Sequence, residues 1–356
     1  MADNKNILDR RDFLKAIGLG TLGGVALGGQ MFCVKSKQAK KYGQQEEVGQ
    51  LYEKVTAPAR VSLVKGNDRR EIVYQSLKMI EDEVLGSIGN KKILLKPNVV
   101  VSNNPLAITH TDTLRAILDF LAPHTKKQII IGESGAMRTS DGFKNYGYHS
   151  LEKEYDVKLI DLNQEDSYQY RYVFGKGNRP LPVRIISIFL DPDVYIISAA
   201  QMKTHNKVLV TLSLKNVLLA CPLNDYEKKR NDKASFHTTP PAVDGLCHFN
   251  MFHIAQEVYP DLAVIDGFEA MEGNGPAWGT PFESRVAVAS LDALAADTIA
   301  TKIMGFDPNR VLYLSAMTEA GMGQGEIEKI NVLGMPLDQC LYHFKPHEKM
   351  AELYEL

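Results

Sequence analysis

Lys92-Ile93-Leu94-Leu95-Lys96-Pro97-Asn98 and, further along, Gln128-Ile129-Ile130-Ile131-Gly132-Glu133-Ser134-Gly135 decide how this chain folds. Each is a short apolar run, bounded by turn-forming or polar residues, of the length expected of a buried strand. Between them, Thr111 to Phe120 repeats apolar residues at helical spacing. Strands separated by helices of this length predict a largely parallel or mixed sheet covered by helices on both faces, an α/β fold. The alternation continues outward in both directions. Further strands are expected at Arg60 to Val64, Val157 to Leu162, Val194 to Ala199, Leu262 to Asp266 and Arg285 to Ala289, and further helices at Arg69 to Leu85, Phe143 to Glu154, Met251 to Val258 and Leu294 to Met304. Tyr168 to Leu190 reads as a small β excursion around a Gly-Lys-Gly-Asn turn, an antiparallel edge or flap.

In open α/β sheets ligands bind beyond the carboxyl ends of the strands, so polar residues placed just after a strand carry functional weight. Lys96 and Asn98 follow the first quoted strand and Glu133 the second, while Lys203-Thr204-His205-Asn206-Lys207 follows the Val194 strand. Lys203, His205 and Lys207 share a side if that strand continues. Thr211-Leu212-Ser213-Leu214-Lys215-Asn216 resembles a helix start. Lysines converging at one sheet edge attract a carboxylate or phosphate. Lys96, Asn98, Lys215 and Asn216 are therefore the candidate ligand-binding residues, and Lys203 joins His205, Glu133 and Glu272 as candidate catalytic groups.

Asp266, Glu269 and Glu272 recur at intervals of three before Gly273-Asn274-Gly275-Pro276, close to one helical face if the segment turns. Carboxylates on a glycine-rich loop suit a hard divalent cation such as Mg²⁺ or Ca²⁺, and equally suit general acid or base roles. Asp266, Glu272 and His205 form the candidate metal set, with His237 a further imidazole in polar sequence. The competing reading is structural, with Asp266 capping a turn and the glutamates pairing with nearby lysines.

The 356 residues carry a net charge of −2 with 44% hydrophobic and 24% charged residues, a globular composition without the basic excess of a nucleic-acid binder. No nucleophile elbow and no phosphate-binding Gly-Lys-Ser/Thr loop occurs. Gly321-Met322-Gly323-Gln324-Gly325 follows a helical pattern, which argues against a dinucleotide fingerprint. Cys33, Cys221, Cys247 and Cys340 form no C-x-x-C pair, so an iron–sulfur cluster, which usually takes four thiolates, is not expected.

At the start, Asp9-Arg10-Arg11-Asp12-Phe13-Leu14-Lys15 precedes a small apolar run from Ala16 to Phe32. This reads as a twin-arginine signal, recognised by the translocation machinery that exports folded proteins. Gly18, Gly20, Gly23, Gly24, Gly28 and Gly29 would each weaken an ordinary helix by about 1 kcal/mol relative to alanine. The run is shorter than the roughly 20 apolar residues of a comfortable span, so targeting is preferred and a retained anchor is the alternative. Residues 1–33 are thus read as signal, 34–50 as a polar tether and 51–356 as one α/β domain. The expected location is periplasmic or otherwise extracytoplasmic, with membrane contact only through an uncleaved signal or a lipidated Cys33.

Lys96-Pro97-Asn98, Gly132-Glu133-Ser134, Gly147-Tyr148, Lys203-Thr204-His205, Ser213-Leu214-Lys215-Asn216, Asp266-Gly267, Glu272-Gly273-Asn274-Gly275-Pro276, Ala296-Asp297 and Met304-Gly305-Phe306-Asp307 together resemble the family called domain of unknown function 362. Many relatives carry a ferredoxin-like cysteine module that this chain lacks. The family also looks distantly similar to lactate racemase-type enzymes, in which lysine and histidine hold a nickel cofactor. The resemblance implies functional positions at Lys96, Asn98, Glu133, Lys203, His205, Lys215, Asn216, Asp266, Glu272 and Asp297.

The expectation is an exported enzyme, cofactor- or metal-dependent, acting on an anionic small molecule held by lysines. The alternatives are a non-catalytic extracytoplasmic binding or accessory protein for such an anion and, third, an iron–sulfur redox protein drawing on Cys221 and Cys247.

Overall fold

The computed structural model describes residues 55–175, 179–236 and 245–354. The expected export signal and polar tether, with Cys33 and His237, lie outside the described residues. In chain order the first strands are β1 (Ala59–Lys65), β2 (Lys92–Lys96), β3 (Ile129–Glu133), β4 (Val157–Asp161), β5 (Tyr168–Gly175) and β6 (Arg179–Ile186). Then come β7 (Val194–His205), β8 (Leu209–Thr211), β9 (Asn224–Asp225) and β10 (Arg230–Asn231). The last four are β11 (Leu262–Glu272), β12 (Thr280–Phe282), β13 (Val286–Ser290) and β14 (Ile330–Gly334).

The main sheet runs β14-β1-β13-β11-β7-β2-β3-β4, with β8 hairpinned onto β7 and β12 onto β11. Strands β11, β7, β2, β3 and β4 are mutually parallel, and β13 lies antiparallel between β11 and β1. The sheet is therefore mixed, and the α/β class is as the alternation of strands and helices required.

Alternate residues along each central strand feed two separate cores, as the two-residue period of a pleated strand dictates. Ile93, Leu95, Tyr195, Ile197, Ala199 and Val264 pack on one face with the Arg69–Lys78 and Thr111–Leu121 helices. Leu94, Ile196, Ala200, Ala263 and Ile265 pack on the other with the Ser213–Leu218, Gly245–Ala255, Ala293–Ile303 and Leu312–Glu319 helices. All twelve residues of β7 are buried, as befits the middle of a sheet covered on both sides.

Several expected elements are redrawn. The helix expected over Arg69 to Leu85 is two helices, Arg69–Lys78 and Glu81–Ile88, divided where Ile80 leaves helical geometry (φ −126°, ψ 23°). The helix expected over Phe143 to Glu154 breaks at Gly147, whose φ of +73° is left-handed. β5 and β6 form their own two-stranded sheet rather than an edge of the main one. The strands expected to stop at Ala199 and Asp266 continue to His205 and Glu272, because hairpin partners β8 and β12 satisfy their backbone groups beyond the apolar run. Asp266, Glu269 and Glu272 therefore lie on an extended strand, not a helical face. A register shift between Asp266 and Met271 swells β11 away from β7 at that point.

Candidate functional site

A cluster of buried lysines sits at the carboxyl ends of β2, β3 and β7. Lys96 Nζ donates to the Pro97 carbonyl at 2.7 Å, to Glu133 Oε2 at 2.9 Å and to Asn216 Oδ1 at 2.7 Å. Lys203 Nζ donates to Asn98 Oδ1 and, at 3.0 Å, to the Ala107 carbonyl. The asparagines join the two lysines: Asn98 Nδ2 donates to Asn216 Oδ1 at 2.9 Å, and Asn216 Nδ2 donates to the Lys96 carbonyl and to Ser198 Oγ. The sequence order that scatters these residues over about a third of the chain is closed by the parallel register, which sets Lys96 beside Ser198 and Leu95 beside Ile131.

Lys215 and Asn216 arrive on the Ser213–Leu218 helix. That helix is held by Asp297 of the Ala293–Ile303 helix, whose Oδ1 and Oδ2 accept from the Ser213 and Leu214 amides at 2.8 and 3.0 Å. These first-turn amides have no partner within their own helix, so a carboxyl from a neighbouring element caps them in place of a local side chain. Burial raises the Asp297 carboxyl to about 8, against the opposing effect of those two amides.

Glu133 accepts from Lys96, from the Val99 amide at 2.7 Å and from the Ser134 amide at 2.7 Å. Its oxygens are fully engaged, which makes it the internal counter-charge of the cluster rather than a free acid or base. Three ammonium groups, those of Lys96, Lys203 and Lys233, lie in its field, and Lys215 lies beside Lys96 and Lys203. Burial lowers Lys96, against the pull of Glu133, and lowers Lys203 well below its ordinary value, with Lys215 and Lys96 adding like-charge repulsion. Burial brings Lys215 to about 8 and Lys233 to about 7.

Lys233 is the member that sequence reading missed. Its Nζ donates to Ser134 Oγ at 2.8 Å and to the Ala220 and Pro222 carbonyls, both at 2.7 Å. Nothing in the charged stretch from Glu227 to Lys233 distinguishes it from a solvated loop lysine. Arg69 is a second omission, and it decides the fate of Asp266. Arg69 Nε lies 3.2 Å from Asp266 Oδ2, which also accepts from Thr113 Oγ1 at 2.5 Å, while Asp266 Oδ1 accepts from the Phe268 amide.

The candidate metal set is not assembled. Glu272 Oε2 accepts from the Lys345 amide at 2.9 Å, and His205 Nδ1 accepts from the Lys207 and Val208 amides in the β7–β8 turn. With Asp266 bound to Arg69, the three side chains serve three separate contacts. Among the described residues no group of three or more His, Cys, Asp and Glu is placed to hold a metal ion. Cys221 is buried, its thiol pushed up to about 12, and its Sγ faces the Leu218 carbonyl at 3.2 Å.

Lys215 differs from its neighbours. Its Nζ has no hydrogen-bond or carboxylate partner among the described residues, unlike Lys96, Lys203 and Lys233. The residue as a whole remains 6% exposed. Thr211 Oγ1, Ser213 Oγ and Gln201 Oε1 are enclosed and unpartnered. Thr211 stands opposite Lys203 in the β7–β8 pair, and Ser213 opens the helix that carries Lys215. A cavity of about 240 Å³ opens at the same rim beyond β3 and β4, lined by residues including Arg138, Asn163, Tyr226 and Lys228. Asn163 and Tyr226 both donate to the Gly135 carbonyl, next to Ser134 and hence to Lys233.

Fold and site together define an α/β protein with a lysine-rich polar cluster at the carboxyl rim of a mixed sheet. The chain belongs to the family described as domain of unknown function DUF362, whose profile matches residues 93–302, from β2 to the Ala293–Ile303 helix. A thylakoid-associated protein of Synechocystis sp. is 26% identical over 285 residues, covering 76% of this chain and 82% of its own. A structural-genomics crystal structure of a protein from Thermotoga maritima aligns with a TM-score of 0.36 and 8% identity, over 73% of this chain and 60% of that one.

Proposed function

We propose that this protein is an exported enzyme that binds an anionic small molecule at the carboxyl rim of the sheet through Lys203 and Lys215, with Lys96, Asn98 and Asn216 holding those lysines in place. The observation that carries the reading is the grouping of four buried lysines at one rim, three of them in the field of Glu133 and the fourth, Lys215, unpartnered. Burying like charges is costly in stability, and a carboxylate or phosphate entering beside Lys215 offsets that cost.

Glu133 then acts as a fixed counter-charge and not as the proton carrier the sequence suggested. A non-catalytic anion binder is the second reading, favoured by one observation: Asp266, Glu272 and His205 each engage a partner of their own and, among the described residues, are not gathered into one group.

Thermal-shift titration with phosphate, pyrophosphate and small dicarboxylates tests the common element. Stabilisation that is lost in Lys215→Met supports it, and no stabilisation by any of these anions overturns it. Chemical conversion of a stabilising ligand during incubation separates enzyme from binder. Export rests on Arg10 and Arg11 and is in keeping with a thylakoid-associated relative. Among the described residues no helix is long and apolar enough to cross a membrane. Replacing both arginines by lysine should leave the chain in the cytoplasm, and unchanged export would remove this part of the proposal.

A further inference from the structure

We propose that Lys215 is an imine-forming amine and that the ligand of the lysine cluster is an anion bearing an aldehyde or ketone. The inference rests on the anion-binding reading above and adds the chemistry of the ligand to it. A structural buried lysine spends its donors on carbonyls and carboxylates, as Lys96 and Lys233 do. Lys215 spends none, and the residue keeps 6% of its surface exposed, so its amine is not committed to a protein partner. The groups that act on it electrostatically are Lys96 of β2, Lys203 of β7 and Cys247 of the Gly245–Ala255 helix, with no carboxylate among them. A lysine in a desolvated setting next to other cationic groups is the arrangement that keeps an amine neutral and nucleophilic near neutral pH. With Lys215 at about 8, roughly 200-fold more of it is neutral at pH 7 than of a surface lysine.

The step balances without an oxidant or reductant. Neutral Nζ attacks the carbonyl carbon, a C–N bond forms, and the two amine hydrogens leave with the former carbonyl oxygen as one water, giving C=N. The anionic group of the same molecule lies in the field of Lys203, whose ammonium and that of Lys215 act on each other.

The test uses the full chain incubated with pyruvate, 2-oxoglutarate or glyceraldehyde 3-phosphate plus cyanoborohydride, read by intact mass and peptide mapping, with thermal shift measured in parallel. The expected result is one reduced adduct on Lys215, absent in Lys215→Arg, with a rate that climbs to about pH 8 and then levels off. Lys215→Met, which removes the amine without adding bulk, checks that loss of the adduct does not come from misfolding, provided its melting transition is intact. Stabilisation by these anions without an adduct on Lys215 overturns the imine and leaves the anion reading standing. Neither stabilisation nor adduct overturns both. An adduct whose rate keeps rising past about pH 10 marks surface lysines and overturns the assignment to Lys215.

Discussion

Replacing Lys215 by methionine should make the protein more stable, although it removes a residue of the candidate site. Burial brings the Lys215 ammonium from 10.5 to about 8. At about 1.4 kcal/mol per pKa unit, holding the charged form in the fold costs about 3 kcal/mol. A lysine whose folded pKa lies below its unfolded one destabilises fully below the folded value, progressively less as pH rises toward the unfolded value, and not at all above it. Methionine fills a comparable volume with an apolar, adaptable chain and carries no such cost. Lys215→Met should therefore exceed the parent by about 2–3 kcal/mol near pH 6.5, with the gap closing by about pH 10.5. Urea unfolding followed by far-ultraviolet circular dichroism at three pH values between these limits measures it. A variant less stable than the parent by more than about 1 kcal/mol at pH 6.5, or a gap that does not change with pH, would show that the ammonium has a partner and refute the reasoning.

Glu133→Gln removes the counter-charge of Lys96 while leaving a buried cation, and should cost about 3–5 kcal/mol in the same denaturation assay; a loss under 1 kcal/mol would contradict the counter-charge role. Asp297→Ala strands the Ser213 and Leu214 amides and should cost about 1–3 kcal/mol near pH 5. Because Asp297 is raised to about 8, this group makes the parent lose stability as pH climbs from about 4 to 8, a slope the alanine variant should lack. Gly275→Ala puts a Cβ 2.2 Å from the Thr204 carbonyl oxygen, so the loop after β11 must move off the end of β7; a melting temperature equal to the parent's would show that contact to be soft.

The α/β class, seven of the strands and the β excursion were legible in the sequence because they rest on local periodicity: apolar runs of strand length, helical spacing between them, and glycine or polar residues where each run stops. The same reading named Lys96, Asn98, Lys203 and Glu133 from their positions just beyond strands, and Lys215 and Asn216 from a helix start, and the fold brings these six to one rim. What stayed hidden depends on contacts between distant segments. The extensions of β7 and β11 past their apolar runs come from hairpin partners, not from the residues in them. Lys233 gains its place only because Ser134 and the carbonyls after the Ser213–Leu218 helix close around it.

Roles separated from positions for the same reason. Glu133, Asp266 and Glu272 are alike as carboxylates in sequence, yet one balances a lysine, one binds Arg69 and one accepts an amide near the carboxyl terminus. A residue's type fixes its charge and donors, and so the sequence by itself determined that cations and carboxylates gather at strand ends. Which of them is saturated and which, like Lys215, is left without a partner is set by three-dimensional neighbours, and only the tertiary structure decided it.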